Sequence, residues 1–119
     1  MDLNVAIQKH AEWKFKFRNA IFSNETMDAA AIAKDNNCEF GNWLHGEGKA
    51  LYGQSPRFAI CVAGHAAFHV EAGRIAAAIN AKKSGEAEKM IAAGSAFSEA
   101  SKKVSLAIVE LGQDVHAHR

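Results

Sequence analysis

The sequence has little proline and cysteine: one proline and two cysteines occur in 119 residues. Pro56 is therefore the only residue that could break a helical pattern through its missing N–H. β-Branched residues are sparse and alanine is abundant, which favours helix over strand. The chain contains no internal repeat and no low-complexity linker. Its length and composition predict one all-helical domain.

The sequence also lacks long apolar runs. No stretch approaches the ~20 residues that a membrane-spanning helix needs. Residues 1–10 are soon interrupted by charge and do not have the pattern of a secretory signal. We therefore expect a cytoplasmic protein with no membrane partner, in which Cys38 and Cys61 stay reduced.

An excess of charge of either sign is missing as well. The formal net charge is +1, and the basic residues are scattered rather than arranged in a stripe with interleaved aromatic residues. Because nucleic-acid binding depends on concentrated positive charge, we expect no nucleic-acid partner.

Apolar residues recur at spacings of three and four in three long segments, as in amphipathic helices. These predicted helices cover residues 2–22, 56–84 and 86–111. Shorter helices are expected at residues 28–34 and after Cys38, followed by a loop to Ser55. The pattern predicts an antiparallel four-helix bundle with an additional short helix that carries Cys38. We place the domain at residues 1–112 and expect residues 113–119 to be a frayed tail.

Four side chains in these segments have the chemistry of metal ligands. His65 and His69 are four residues apart, so a helix projects both from one face. His10 lies on the apolar face of the first helix, and Cys38 lies at a junction between segments. Three imidazole nitrogens and one thiolate suit tetrahedral Zn²⁺.

Each of these residues also has an ordinary explanation when it is taken alone. A single buried histidine is usually hydrogen-bonded rather than metal-bound, and a histidine pair without other features is a common false positive for metal. Cys61 is one turn before His65 and is expected to be a small core residue. His45 is expected to be exposed, and His116 and His118 could bind metal only unspecifically.

The motif around Cys38 carries a resemblance to a known family. His10 is followed three residues later by Trp13, then by C-E-F-G-N-W-L-H-G-E-G from Cys38, and then by H-A-A-F-H from His65. This arrangement resembles the chemoreceptor zinc-binding domain, in which cysteine, phenylalanine or leucine, glycine and tryptophan form the central motif. The similarity extends over essentially the whole chain.

The resemblance implies a bacterial zinc-binding regulatory domain that folds as a four-helix bundle and forms a symmetric homodimer. It implies attachment to chemoreceptors or diguanylate cyclases, whose output zinc occupancy alters, and for some members the sensing of hypochlorous acid. The ligands carried over are His10, Cys38, His65 and His69, for one Zn²⁺ per chain.

Three functions remain open from the sequence. A zinc sensor and a redox sensor would use the same site and differ in the trigger. A zinc hydrolase would need an open coordination position and a general base, and the sequence has no H-E-x-x-H motif. We therefore expect a regulatory domain of signalling rather than an enzyme, with no catalytic residues.

Overall fold

The computed structural model describes residues 1–117, and all regular structure in this part of the chain is helical. The helices in chain order are α1 (Leu3–Ala11), α2 (Trp13–Ser23), α3 (Ala29–Ala33), α4 (Glu39–His45), α5 (Glu47–Tyr52), α6 (Pro56–Asn80), α7 (Ser84–Met90) and α8 (Ala96–Ala117).

Helices α1 and α2 follow one another with only Glu12 between them. The Asp2 side chain accepts a hydrogen bond from the Val5 N–H at 3.2 Å and caps α1. Glu12 keeps a right-handed helical backbone, and its carbonyl accepts from the Lys16 N–H at 3.1 Å. The two helices therefore form one nearly continuous rod, which confirms the long first helix predicted from the sequence.

The short helix α3 lies against α6. Asp28 caps it by accepting from the Ala31 N–H at 3.1 Å. At Gly73 of α6 an added β-carbon would stand 2.6 Å from the β-carbon of Ala33. The missing side chain of Gly73 is what lets the two helices approach so closely.

Helices α6 and α8 run antiparallel and form the largest packed interface. Ser55 caps α6 ahead of Pro56 at the first helical position, which is a favoured start for a helix. The guanidinium of Arg57, at the start of α6, contacts the carboxylate of Asp114, near the end of α8, at 2.7 Å. Fully buried side chains from several helices fill the core, namely Phe17, Leu44, Phe68, Ile75, Ile108 and Leu111.

The single helix predicted for residues 86–111 is wrong, because the chain breaks between α7 and α8. Gly94 adopts a left-handed backbone with φ of 82°, a conformation that glycine adopts without strain. The Ser95 hydroxyl then accepts from the Ser98 N–H at 3.1 Å and starts α8. The loop expected before Ser55 also differs, since it contains α5.

The C-terminal segment is helical as far as Ala117, where we expected a frayed tail from residue 113. Its Asp114 accepts hydrogen bonds from Ser55 and Arg57, which fasten this turn of α8 to the start of α6. Residues 118 and 119 of the expected tail, including His118, lie outside the described residues.

Across residues 1–117, none of the helices has the length and apolar character needed to cross a membrane.

Candidate metal centre

His10 enters the site from the last turn of α1 and is buried. Its Nδ1 lies 2.7 Å from the carbonyl oxygen of Ala6, one turn earlier in the same helix. Because a carbonyl can only accept, Nδ1 carries the proton and Nε2 keeps its lone pair. The hydrogen bond thus turns the unprotonated nitrogen towards the interior.

His69 is oriented in the same way by a different helix. Its Nδ1 lies 2.9 Å from the carbonyl oxygen of Ile32, in α3. The close approach of α3 to α6 at Gly73 brings this carbonyl within reach. Asn80 fixes the start of the α3 segment, since its side-chain amide exchanges two hydrogen bonds of 2.7 Å with the backbone of Met27.

His65 is fully buried one turn before His69 on α6. Among the buried side-chain nitrogen and oxygen atoms of the described residues, its Nδ1 is the one without a hydrogen-bond partner. The ring is instead held by packing, with Phe40 edge-on at a centroid distance of 5.2 Å. His65 therefore differs from the other two histidines, whose Nδ1 atoms are bonded to carbonyls.

Cys38 is the capping residue of the short helix α4. Its Sγ accepts a hydrogen bond from the Gly41 N–H at 3.3 Å. Phe40 and Leu44 bury the inner face of α4 in the core, so the start of this helix is fixed with the sulfur facing the histidines. Of the four candidate ligands, Cys38 is the one that is only half-buried.

The four donor atoms converge on one point, and all lie within 4.8 Å of one another. His65 Nε2 is 3.1 Å from His10 Nε2 and 3.1 Å from His69 Nε2. Cys38 Sγ lies 3.3 Å from His65 Nε2, 3.6 Å from His69 Nε2 and 4.0 Å from His10 Nε2.

These separations fit a tetrahedral zinc site. With Zn–N bonds of about 2.0–2.1 Å and Zn–S bonds of about 2.3 Å, two nitrogens should be about 3.3 Å apart and a nitrogen and sulfur about 3.5 Å apart. Two of the three Nε2 atoms are lone-pair donors fixed by their carbonyl partners. A cation could accept a lone pair from all four donor atoms at once. Without a cation, a proton on His65 or Cys38 could form a hydrogen bond to only one or two of the other donor atoms.

The electrostatic environment keeps the histidines neutral. Burial lowers the pKa of His65 to about 3, and the neighbouring His69 and His10 add to the effect. Burial also lowers the pKa of His10 and of His69, although the Ala6 and Ile32 carbonyls act in the opposite direction. Neutral imidazole is the form that binds a metal.

Burial raises the pKa of the Cys38 thiol, and the hydrogen bond from the Gly41 N–H partly offsets this increase. Without a cation the sulfur therefore holds its proton. A metal ion would displace that proton, because thiolate is the form that coordinates. Metal binding at this centre should consequently strengthen as the pH rises.

A cleft of about 350 Å³ between α1 and the start of α4 reaches this centre from outside. Its lining includes Cys38 and His10 together with the apolar side chains of Val5, Trp13 and Phe40. Trp13 therefore lines the cleft that leads to the centre.

Of the remaining cysteine and histidines, those within residues 1–117 take no part in the cluster. Cys61 is fully buried, and burial raises the pKa of its thiol to about 12, in agreement with a core role. His116 is exposed. His45 is exposed as expected, but it contacts Asp35 at 3.1 Å. The sequence had given no reason to single out Asp35.

A helical fold that gathers three histidines and one cysteine defines a candidate metal-binding protein with four protein donors. Residues 10–76 match the chemoreceptor zinc-binding domain. This match covers more than half of the chain and contains all four donors, so the protein belongs to the chemoreceptor zinc-binding domain family. No curated protein and no solved structure matches the chain significantly.

Proposed function

We propose that the protein is a zinc-sensing regulatory domain of bacterial signalling that binds one Zn²⁺ per chain through His10, Cys38, His65 and His69. The observation that carries the proposal is the convergence of their four donor atoms within 4.8 Å. Membership of the family supports zinc as the metal. A bound zinc ion supplies a cross-link between three chain segments and stabilises the thiolate of Cys38.

A regulatory role agrees better with this donor set than catalysis does. Catalytic zinc sites keep a coordination position open for water, whereas four protein donors close the coordination shell. A hydrolase would require Cys38 to leave and a general base to stand beside the remaining histidines. We therefore propose no enzymatic activity and no catalytic residue.

Cys38 is the ligand that we propose moves during signalling. His10, His65 and His69 belong to helices packed in the core and are buried. Cys38 lies at the start of the seven-residue helix α4 and is half-buried. Its release would loosen the turn before α4 while leaving the long helices packed, which gives a local switch that a partner could detect.

The partial exposure of Cys38 favours a second candidate function, that of a redox sensor. Cys38 lines the cleft between α1 and α4, through which we propose that small reagents reach its sulfur. Hypochlorous acid would oxidise the thiolate to sulfenic acid by two electrons, with release of chloride, and so weaken the bond to the metal. This candidate uses the same four residues and differs only in the trigger.

We also propose that two copies form a homodimer through the outer face of α6. Ile60, Ala63, Ala67 and Val70 repeat at spacings of three and four and are all exposed, with Ile60 at 58% and Val70 at 46%. This is the spacing by which two helices pack along a seam.

Beyond the dimer, we propose a chemoreceptor or diguanylate cyclase in the cytoplasm as the output partner, within the same chain or separate.

We propose that the helices are arranged as the antiparallel four-helix bundle of the family. The α1–α2 rod, α6 and α8 would be its long members, the α3 segment would occupy the fourth side, and α4 would be the additional short helix. The contacts of α6 with α2, α3 and α8 support this arrangement.

Metal content tests the proposed function directly. Elemental analysis of the untagged protein should find one zinc per chain, with the metal lost in His65→Ala and held more weakly in Cys38→Ala. His116→Ala removes an exposed histidine outside the cluster and should keep the full content. Wild-type protein that holds no zinc after purification without chelator and resupply of zinc would contradict the proposal.

A further inference from the structure

A hydrogen bond between two side chains spans the segment that carries Cys38. The Oδ2 atom of Asp35 lies 3.1 Å from the Nε2 atom of His45. Asp35 precedes Cys38 by three residues, and His45 is the last residue of α4. The pair therefore closes a loop around the cysteine, although neither residue belongs to the donor cluster.

Cys38 is held between two anchored parts of the chain. On one side, Ala33 packs on Gly73, and the Ile32 carbonyl accepts a hydrogen bond from His69 Nδ1. On the other side, α4 is buried through Phe40 and Leu44. Residues 34–37 between these anchors form a turn with no buried side chain. The turn is therefore the part of this segment with the fewest constraints.

Asp35 contacts one face of α4 with both its backbone and its side chain. Its carbonyl oxygen packs so tightly on Gly41 that a β-carbon there would overlap it. Its carboxylate contacts His45, which follows Gly41 by four residues and thus lies on the same face of the helix. Among the described residues, the Asp35–His45 contact is the one side-chain hydrogen bond between this turn and the end of α4.

We propose that Asp35 and His45 are positioning residues that hold the Cys38 sulfur against the three imidazoles, so that opening of this pair sets how readily Cys38 leaves. The inference rests on the proposed function, since it names the device that regulates the same centre. With the pair closed, the turn and α4 move as one unit. With the pair open, the turn is tied to α4 only through backbone packing at Gly41.

His45 is the better residue to substitute because, unlike Asp35, it does not shift the pKa of the Cys38 thiol, although it adds slightly to the lowering of the pKa of His65. Burial raises the pKa of the Cys38 thiol and the Asp35 carboxylate adds to that effect, so neutralising Asp35 would also change the sulfur. His45→Ala removes the contact and leaves Asp35 in place. In His45→Gln, the amide N–H can still donate to the carboxylate, which makes this variant the conservative rescue.

The experiment measures alkylation by N-ethylmaleimide in the full chain, with each cysteine quantified by mass spectrometry of its own peptide. Cys61 is fully buried and reports global opening, whereas Cys38 reports local release. In zinc-loaded protein, His45→Ala should speed Cys38 labelling about two- to fivefold, the size of effect expected for a partly exposed polar contact. His45→Gln should label at close to the wild-type rate, and Cys61 labelling should not change.

Glu99→Ala is the matched control, because it removes the remote Lys102–Glu99 pair of 3.7 Å on α8 and should leave both rates unchanged. The inference is overturned if His45→Ala labels Cys38 at the wild-type rate, if His45→Gln is as fast as His45→Ala, or if Cys61 accelerates together with Cys38. Zinc content is measured in the same samples. A wild type without zinc would contradict the proposed function, and the same comparison in metal-free protein would still decide the positioning role.

Discussion

The backbone carbonyl of Asp35 lies directly on Gly41, leaving no room for a side chain at that position. The same glycine faces the ring of His65, whose Cε1 would be 3.2 Å from an added β-carbon. Gly41 thus separates the turn before Cys38 from a candidate ligand on α6. The glycine of the cysteine motif is required by this close approach rather than by an unusual backbone angle.

Gly41→Ala should weaken zinc binding. The added methyl overlaps the Asp35 carbonyl, so the turn or α4 must shift and Cys38 moves with it. Overpacking of this kind costs about 1–3 kcal/mol, so we expect a loss of roughly tenfold or more in affinity, measured by competition with a chromophoric chelator. Gly85→Ala is the control, since an added β-carbon there has nothing within 4 Å. Equal affinities for the two variants would show that Gly41 does not position Cys38.

Gly73→Ala should affect the centre through His69. The new β-carbon would stand 2.6 Å from that of Ala33, which forces α3 away and removes the Ile32 carbonyl from His69 Nδ1. Loss of such an orienting hydrogen bond typically costs 10–100-fold in metal affinity, and we expect a decrease in that range by the same chelator competition.

Gly64→Ala serves as the comparison for Gly73 on the same helix. Its nearest neighbour would be the Val104 Cα at 3.8 Å, an ordinary contact, and alanine favours helix over glycine. This variant should keep its zinc affinity. A Gly73→Ala protein with wild-type affinity would mean that the Ile32 carbonyl does not contribute to ligand orientation.

The gathering of His10, Cys38, His65 and His69 could be predicted because its signals are local. Two histidines four residues apart share a helical face whatever surrounds them, and His10 interrupts an otherwise apolar stripe. The break at Gly94 could not be predicted, because a glycine inside a helical pattern does not reveal the sign of its φ angle. The carbonyl partners of His10 and His69 are backbone groups, which leave no trace in the side-chain pattern.

The role of Asp35 and the helical end of α8 could not be predicted from the sequence either. Asp35 acquires its role from His45 and from the close approach at Gly41, and both depend on how the turn folds. Residues 113–117 stay helical because Asp114 reaches Ser55 and Arg57, which are more than 50 residues away in the sequence. Contacts between distant segments of this kind have no periodicity that a sequence pattern could show.

Metal-free protein should lose stability as the pH falls below about 6.5. Burial lowers the pKa values of His10, His65 and His69 in the folded state, that of His65 to about 3. Between the unfolded value of about 6.5 and these lower values the unfolded chain binds more protons, so the free energy of unfolding decreases with decreasing pH. The slope is at most about 1.4 kcal/mol per pH unit for each histidine.

Urea unfolding of chelator-treated protein between pH 7.5 and about 5 would measure this dependence. The midpoint should fall steadily below about pH 6.5. His116→Ala removes an exposed histidine outside the cluster and is the control variant. A midpoint that stays constant down to pH 5 would contradict the burial of three neutral imidazoles in the metal-free fold.

Oxidation should release zinc through Cys38 and not through Cys61. Cys38 is half-buried and lines the cleft between α1 and α4, whereas Cys61 is fully buried with a pKa raised to about 12. Because thiolate character and access govern oxidation, hypochlorous acid added in equal amount to the protein should produce Cys38 sulfenic acid and free zinc. Cys38→Ser should hold zinc more weakly and show no further oxidant-induced release.

Cys61→Ala is the matched variant and should release zinc on oxidation as the wild type does. Zinc affinity, measured on the same preparations, then separates the two triggers, because a centre that stays full at cellular zinc concentrations cannot report changes in zinc. Tight binding together with Cys38-dependent release would assign the oxidant as the signal. Weak binding near the cellular range, with no release on oxidation, would assign zinc itself. Oxidation of Cys61 ahead of Cys38 would contradict the access that the cleft provides.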